Sequence, residues 1–305
     1  MNSCRVFLIV FLLLVQIVNA KTTGLVCAVP CEMGNVLELM ENPIMQELGG
    51  RKYYRGLLYG QDTVLVAAKI GKVAAAITAV NLIIEFMVDQ IVFIGVAGAL
   101  DTQLNVGDIV IANSLVQHDM DARPFCERFA IPLLHIKECY SDPLLVQFAL
   151  NSSKVFLEND FENCISENCK SEFFIANPKV VIGQIVTGDQ VISKDADKLR
   201  LKELLPKSLC VEMEGAGIAQ VCYEYKIPFV VIRTISDYAN RQHISADVKK
   251  FIQEIAGVYS EGIIKNLYGQ FNEPKIAFAT LSPDSQAASI VPGASNKIEA
   301  CSPAK

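Results

Sequence analysis

Residues 211–237 read VEMEGAGIAQVCYEYKIPFVVIRTISD, and this stretch decides how the rest of the chain is interpreted. Its hydrophobic pattern predicts a short buried strand over 209–213, a helix of small and apolar residues over 214–222, and a β-branched strand over 228–233. A helix held between two buried strands is typical of an α/β protein.

Four polar side chains follow these two strands. Glu212 and Glu214 lie at the carboxyl end of the first strand, and Ser236 and Asp237 lie at the carboxyl end of the second. Open α/β sheets bind their ligands at this edge, and carboxylates beside buried strands are costly unless they are paired or used. The stretch therefore predicts a ligand site, with helix caps and loop ends as the alternative interpretation.

Strands and helices alternate through the rest of the chain. Further strands are predicted over 24–30, 51–60, 63–69, 90–95, 106–118 and 179–187, and further helices over 31–41, 71–86, 141–158, 194–205 and 246–267. This alternation predicts an α/β fold, a three-layer α/β/α sandwich with a central mixed, twisted sheet.

The two ends of the chain differ in composition from its middle. Residues 1–20 combine Arg5, an apolar run over 6–18 and small residues at the end, as a cleaved secretory signal peptide does. An uncleaved membrane anchor is the alternative. Pro, Ser, Ala and Asn dominate 271–305, which we expect to be a disordered tail. The catalytic domain is then 21–270, and the protein is expected to be secreted or periplasmic.

The overall composition excludes several classes of function. Of the 305 residues, 51% are hydrophobic, which is enough for a sizeable core, and the formal net charge is -6. An acidic chain is not expected to bind nucleic acid or an anionic membrane. Three scattered histidines do not predict a zinc enzyme.

Nine cysteines remain after the signal segment, an odd number for an exported protein. At least one is therefore free or paired between chains. Cys164 and Cys169, on either side of a polar loop, are the first candidates for a disulfide, and Cys126 and Cys139 are the second.

Several motifs, taken together and in this order, carry a resemblance to a known family. They are FIGVAGAL at 93–100, VGDIV at 106–110, VEME at 211–214, RTISD at 233–237, IGKVAA at 70–75 and HDMD at 118–121. Over about residues 24–268 the chain resembles the purine nucleoside phosphorylase/uridine phosphorylase superfamily. Within it, the chain is most similar to the nucleosidases that cleave 5'-methylthioadenosine and S-adenosylhomocysteine, whose fold is nucleoside phosphorylase-like.

The resemblance implies roles for the residues of the deciding stretch. Asp237 would protonate purine N7 as the general acid and Ser236 would orient it, where a helix cap or salt bridge is the structural alternative. Glu214 would bind the ribose hydroxyls, and Met213 would pack on the sugar unless it only fills the core. Glu212 would support the site from nearby, or form a surface salt bridge.

Glu32 decides between hydrolysis and phosphorolysis. The related phosphorylases hold phosphate with an arginine in the loop after the first strand, and the loop AVPCEM at 28–33 has none. A carboxylate there would repel phosphate and could activate water, which matches the glutamate of the nucleosidases. A glutamate favoured by a helix dipole is the alternative. Arg233 would neutralise the carboxylate cluster from behind.

The chain departs from the nucleosidase pattern around the expected pocket. Val96 stands where serine is common, and Lys69 replaces a small residue. Val191 and Ile192 replace a more aromatic segment and could still contact the adenine. Phe125 matches an aromatic residue that closes the pocket of a neighbouring subunit, which implies a homodimer, although it could instead belong to the core.

The leading hypothesis is hydrolysis of the N-glycosidic bond of 5'-substituted adenosines, which releases adenine and requires no metal or organic cofactor. The expected partners are a small nucleoside and a second copy of the chain, with no nucleic acid and no membrane beyond the signal segment. A phosphate-dependent phosphorylase of the same fold and a non-catalytic exported storage or adhesion protein are the alternatives.

Overall fold

The fold is described from a computed structural model, which covers residues 21–239 and 246–272. The predicted signal segment and all but two residues of the predicted tail lie outside the described residues. Phe271 and Asn272 end the last helix. Within the described part of the chain, no helix combines the length and apolarity needed to cross a bilayer.

Ten strands form one mixed sheet. They are β1 Thr23–Cys27, β2 Met40–Leu48, β3 Arg51–Leu58, β4 Gln61–Ala67, β5 Gln90–Ala99, β6 Ile109–Gln117, β7 Cys139–Tyr140, β8 Val180–Thr187, β9 Ser208–Glu212 and β10 Phe229–Asp237. The strand order is β10-β6-β8-β9-β5-β1-β4-β3-β2, with β7 paired to β6.

The helices connect these strands on both sides of the sheet. They are α1 Lys72–Ile84, α2 Pro143–Val155, α3 Phe161–Cys164, α4 Glu167–Glu172, α5 Asp195–Leu204, α6 Gly215–Tyr225, α7 Ala246–Phe251 and α8 Gly257–Asn272. A 3₁₀ turn covers Pro30–Met33, and π-helical turns cover Phe156–Asp160 and Ile252–Ala256.

The long strand β5 closes half of the sheet into a ring. It pairs in parallel with β1 and β10, and its last residues Gly98 and Ala99 pair antiparallel with Val211 and Cys210 of β9. Since β10 also pairs with β6, and β6, β8 and β9 pair in turn, five strands form a closed ring. Because β9 overlaps β5 only at these terminal residues, the carboxyl ends of the two antiparallel strands lie side by side.

Two apolar cores lie on opposite faces of the sheet. On one face α1 and α6 pack against each other and bury small residues such as Ala75, Ala79 and Ala219. On the other face α2 packs against α8, and Phe156 makes edge-on contacts with Phe161 and Tyr259. The arrangement is the predicted three-layer α/β/α sandwich with a mixed sheet.

The main departure from the predicted elements lies between β1 and β3. A helix over 31–41 was predicted, but only the 3₁₀ turn forms. Gly34, at a φ of 57°, ends that turn, and a side chain there would lie 2.6 Å from the carbonyl oxygen of Gly257. The edge strand β2 then begins at Met40 and was missed because its exposed residues lack an alternating apolar pattern.

The predicted disulfides are absent. All eight cysteines of the described residues are free, including both predicted pairs. Cys164 ends α3 and Cys169 lies in α4, so the predicted pair stands on two separate short helices. The expectation of a Cys164–Cys169 or Cys126–Cys139 bond is therefore not met in this structure.

Two glycines of α8 give a matched test of the packing on this face. A Cβ at Gly262 would lie 2.2 Å from the Phe156 ring, whereas a Cβ at the exposed Gly269 meets nothing within 4 Å. Gly262→Ala should lower the free energy of unfolding by about 1–3 kcal/mol through overpacking. Gly269→Ala should raise it by about 0.5–1 kcal/mol because alanine favours the helix. Urea unfolding of the two variants measures both changes, and equal stabilities would contradict this packing.

Candidate active site

A cavity of about 200 Å³ opens where the carboxyl ends of β1, β5, β9 and β10 meet. We call it the acidic cavity because four carboxyl side chains line it. Its lining residues are Ala28, Val29, Glu32, Ile70, Val96, Ala97, Gly98, Gln190, Val191, Ile192, Val211, Glu212, Met213, Glu214, Ser236, Asp237, Val248 and Ile252. Apolar walls with a few converging polar groups are typical of a site for a small ligand.

Glu32 is held at the bottom of the acidic cavity by backbone amides. Its side chain is 3% exposed. Oε2 accepts hydrogen bonds from the amides of Ala28 at 2.8 Å and Val29 at 2.9 Å, and Oε1 accepts from Val96 at 3.3 Å. A Cβ at Gly95 would lie 2.9 Å from Oε1, so only glycine leaves room for this carboxyl. The loop after β1 thus fixes Glu32 against the end of β5.

Glu212 is bonded on both of its oxygens. It accepts hydrogen bonds from the amides of Gly215 and Glu214 at the start of α6, and from the hydroxyl of Thr187. Its ion pair with Arg233 measures 2.8 Å, and both side chains are almost fully buried. The guanidinium of Arg233 also lies 3.9 Å from the centre of the Phe93 ring. Glu212 and Arg233 therefore form a structural support behind the cavity.

Glu214 lies two residues after Glu212, and its side chain lines the acidic cavity. Its Oε1 accepts one hydrogen bond, from the amide of Gly71 at 2.7 Å. Glu214 is only 6% exposed. Burial, and then the negative charge of Glu212, raise the pKa of Glu214 from its ordinary 4.5 to about 8. Its second oxygen has no hydrogen-bond partner among the described residues, so it can bind a ligand.

Asp237 is the last residue of β10 and pairs with Gly98 of β5 in the sheet. Its Oδ2 accepts a hydrogen bond from the Ser236 hydroxyl at 2.9 Å, and its Oδ1 accepts from the amide of Ala239 at 2.7 Å. A Cβ at Gly98 would lie 3.0 Å from Oδ1, so the glycine lets the carboxyl approach β5 closely. Burial raises the pKa of Asp237, which favours the protonated acid.

The charges in the cavity are unbalanced. In residues 21–239 and 246–272, no lysine or arginine nitrogen lies within 4 Å of the carboxyl oxygens of Glu32, Glu214 or Asp237. Burial raises the pKa of Glu32 as well. A group of buried carboxyls with raised pKa values is typical of a site for general acid–base chemistry.

Most of the residues predicted for the site lie together in the structure. Nine of them line the acidic cavity: Glu32, Val96, Val191, Ile192, Glu212, Met213, Glu214, Ser236 and Asp237. Arg233 lies behind the cavity. Phe125 does not line it, and its side chain is 91% exposed.

Sequence reasoning gave no role to Gly71, whose amide binds Glu214, or to Thr187, which binds Glu212. Gly71 belongs to a quoted motif, but its contact spans 143 residues. No local pattern could reveal such a contact.

The fold and the acidic cavity define a nucleoside phosphorylase-type protein, and comparisons with known proteins agree. Residues 22–263 match the model of the phosphorylase superfamily, so the chain belongs to this superfamily. The resemblance inferred from the motifs is confirmed.

Three relatives illustrate the similarity. The 5'-methylthioadenosine/S-adenosylhomocysteine nucleosidase of Colwellia psychrerythraea is 33% identical over 249 residues, which cover 81% of this chain and 95% of the relative. The Neisseria meningitidis nucleosidase of the same name, solved with methylthio-immucillin-A, gives a TM-score of 0.72 at 29% identity and covers 82% of this chain and 99% of that one. A futalosine hydrolase of Helicobacter pylori gives a TM-score of 0.69 at 27% identity and covers 82% of this chain and 98% of that one.

The buried ion pair can be tested against an exposed one. Arg233→Met should lower the free energy of unfolding by about 3–5 kcal/mol, because it leaves Glu212 buried without its cation. Arg55→Met breaks the exposed pair with Asp62 and should cost less than about 1 kcal/mol. Urea unfolding of both variants at neutral pH gives the comparison. Similar losses would show that burial of the first pair does not matter.

The raised pKa of Glu214 predicts a pH dependence of stability. Below its unfolded-state pKa near 4.5 the carboxyl is protonated in both states. As the pH rises towards about 8, the unfolded chain releases this proton before the folded protein does, so the wild type becomes less stable.

Glu214→Gln removes this contribution, and the variant should lose less stability than the wild type between about pH 5 and pH 8. Glu203→Gln, at an exposed residue of α5, should keep the wild-type slope. Thermal unfolding across this pH range provides the measurement, and parallel curves for wild type and Glu214→Gln would refute the assignment.

Proposed function

We propose that the protein hydrolyses the N-glycosidic bond of 5'-substituted adenosines, such as 5'-methylthioadenosine and S-adenosylhomocysteine, and releases adenine. One observation carries this proposal: Glu32, Glu214 and Asp237 line a single small cavity. The reaction needs one group that protonates the leaving base, one that binds the sugar and one that activates the attacking water. Three carboxyls from three different strand ends can supply these groups.

Asp237 is the general acid of this proposal. Burial raises its pKa, which favours the protonated acid, and the Ser236 hydroxyl donates a hydrogen bond to Oδ2. Transfer of this proton to purine N7 lets the base leave as neutral adenine when the bond from C1' to N9 breaks. The backbone amide of Ala239 holds the other carboxyl oxygen in place.

Glu32 is the general base. Its carboxylate form accepts a proton from water while the water oxygen forms the new bond to C1'. Burial raises the pKa of Glu32, and the three amides that bind it oppose this effect by stabilising the ionised form. A phosphate ion would meet an uncompensated carboxylate at this position, which disfavours phosphorolysis.

Glu214 and Met213 hold the sugar between these two groups. The second oxygen of Glu214 can accept hydrogen bonds from ribose hydroxyls. The partial negative charge of this oxygen stabilises the positive charge that builds on the ribose in the transition state. The Met213 side chain lines the same cavity and can pack on the furanose. Val191 and Ile192 lie on the wall that would contact the base.

A homodimer is the proposed assembly. Phe125 is exposed here, as expected of a side chain that covers the 5'-group in a neighbouring subunit. Helix α1 comes just after Ile70 of the acidic cavity in the sequence, and it exposes three apolar side chains: Val73, Ile77 and Ile84. These side chains offer a surface on which the second copy can pack.

Two substitutions test the proposed roles. Asp237→Asn should lower kcat for adenine release from 5'-methylthioadenosine by about 10²–10⁴-fold, because the amide cannot protonate N7. Glu32→Gln should lower kcat similarly but retain the binding of an uncleavable adenosine analogue, measured by calorimetry. Asp195→Asn, at an exposed residue of α5 outside the cavity, is the control and should keep the wild-type rate. Wild-type turnover by Asp237→Asn would refute the assignment of the acid.

A further inference from the structure

A second, larger cavity of about 740 Å³ lies next to the acidic cavity. The two share the wall residues Ala28, Val29 and Ile70, so they adjoin each other. The second cavity is bounded by the 3₁₀ turn and by β3 and β4. We call it the basic cavity, because three cations line it: Arg51, Lys52 and Lys69.

The shared wall places the basic cavity on the sugar side of the site. Ile70 precedes Gly71, whose amide binds Glu214, and the amide of Val29 binds Glu32. Asp237, the group assigned to the base, does not line the basic cavity. A nucleoside with its purine at Asp237 and its ribose at Glu214 would therefore direct its 5'-substituent towards the basic cavity.

Arg51 is a buried cation without a carboxylate partner. It is 7% exposed, and its guanidinium donates to the carbonyl oxygens of Gly49, Ala68 and Ala74 at 3.0–3.3 Å. No carboxyl oxygen of the described residues lies within 4 Å of Arg51, Lys52 or Lys69. The cavity contains one acidic side chain, the exposed Glu38. Its excess positive charge can attract an anionic group.

Lys69 adopts a backbone conformation that favours glycine. Its φ is 70°, and its amide donates to the carbonyl oxygen of Ala28 at 2.9 Å. A side chain other than glycine in this region costs about 1 kcal/mol or more, and such strain concentrates at functional sites. A Cβ at Gly50 would lie 3.3 Å from the Lys69 Nζ, which places the ammonium over the turn that precedes Arg51.

We propose that Arg51 and Lys69 make the enzyme selective for adenosines whose 5'-substituent ends in an anionic group, a carboxylate in particular. The inference rests on the proposed function, because it assigns the 5'-end of the same substrate to the basic cavity. The neighbouring Glu38 can also pair with an ammonium group. The amino acid end of a 5'-homocysteinyl group, which carries both charges, therefore fits the cavity better than a methyl group does.

A pair of synthetic substrates tests the selectivity without any mutation. One is a 5'-thioether of adenosine whose alkyl chain ends in a carboxylate, and the other ends in the corresponding primary amide. The wild-type protein should show a kcat/KM for the acid at least about fivefold higher than for the amide, since only the acid makes charge-assisted contacts. The ratio should fall as the salt concentration rises. A ratio near one would overturn the inference.

Lys69→Gln removes one cation and keeps a side chain of similar length. It should reduce the acid-to-amide ratio of kcat/KM by about fivefold, mostly through KM for the acid. Lys207→Gln, an exposed lysine just before β9 and outside both cavities, removes the same charge and should keep the wild-type ratio. An unchanged ratio in Lys69→Gln would overturn the role of Lys69.

5'-Methylthioadenosine separates this inference from the proposed function. Adenine release from methylthioadenosine with equal rates for the acid and the amide would contradict the selectivity alone. No adenine from methylthioadenosine or from either thioether would contradict the proposed hydrolysis, and with it the selectivity.

Discussion

The ion pair between Arg233 and Glu212 sets the electrostatics of the whole site. Both side chains are buried, and Glu212 also receives the amides at the start of α6. The pair fixes the end of β9 against β10 and uses the Arg233 guanidinium, so among the described residues no arginine or lysine pairs with the other three carboxyls. Glu32, Glu214 and Asp237 then depend on backbone amides and the Ser236 hydroxyl, which are weaker than a cation at offsetting desolvation. Burial consequently raises the pKa of all three.

The closed ring of strands explains why these carboxyls meet. In a simple parallel sheet, β9 and β5 would share a direction, but here they run antiparallel and overlap only at their ends. Glu212 at the end of β9 and Glu214 just after it thereby come close to Val96 and Gly98 of β5. Glycines at 95 and 98 leave space for the carboxyls of Glu32 and Asp237. The strand topology and the two glycines, which have no side chain, together create the cavity.

Much of this could be predicted from sequence because the signals are local. Glu212 and Asp237 are the last residues of two buried, largely apolar strands, so the structure places both where the pattern indicated. The contact from Gly71 to Glu214 and the closure of the ring join distant segments, and no periodicity encodes them. The strand β2 was missed because it lies on an exposed edge and contains Pro43.

Two departures from the family pattern, Val96 and Lys69, lie on the proposed sugar side of the site, and two others, Val191 and Ile192, lie on the wall that would contact the base. Val96 borders the space of the proposed water, while Lys69 faces the larger cavity beside it. The proposed acid, Asp237, and the proposed base, Glu32, both line the acidic cavity. Relatives with similar folds carry the names of nucleosidases and of a futalosine hydrolase, so membership of the superfamily leaves the 5'-group open. The proposed catalytic carboxyls and the residues expected to select the 5'-group therefore lie in different parts of one cleft.

The proposed hydrolysis requires that water, and not phosphate, is the nucleophile at C1'. Incubation of the protein with 5'-methylthioadenosine in phosphate-free buffer and in phosphate buffer, followed by mass spectrometry of the sugar product, measures this. We expect adenine and free methylthioribose in both buffers, with no sugar 1-phosphate. Adenine release only after phosphate is added, with a sugar 1-phosphate as the product, would contradict the account.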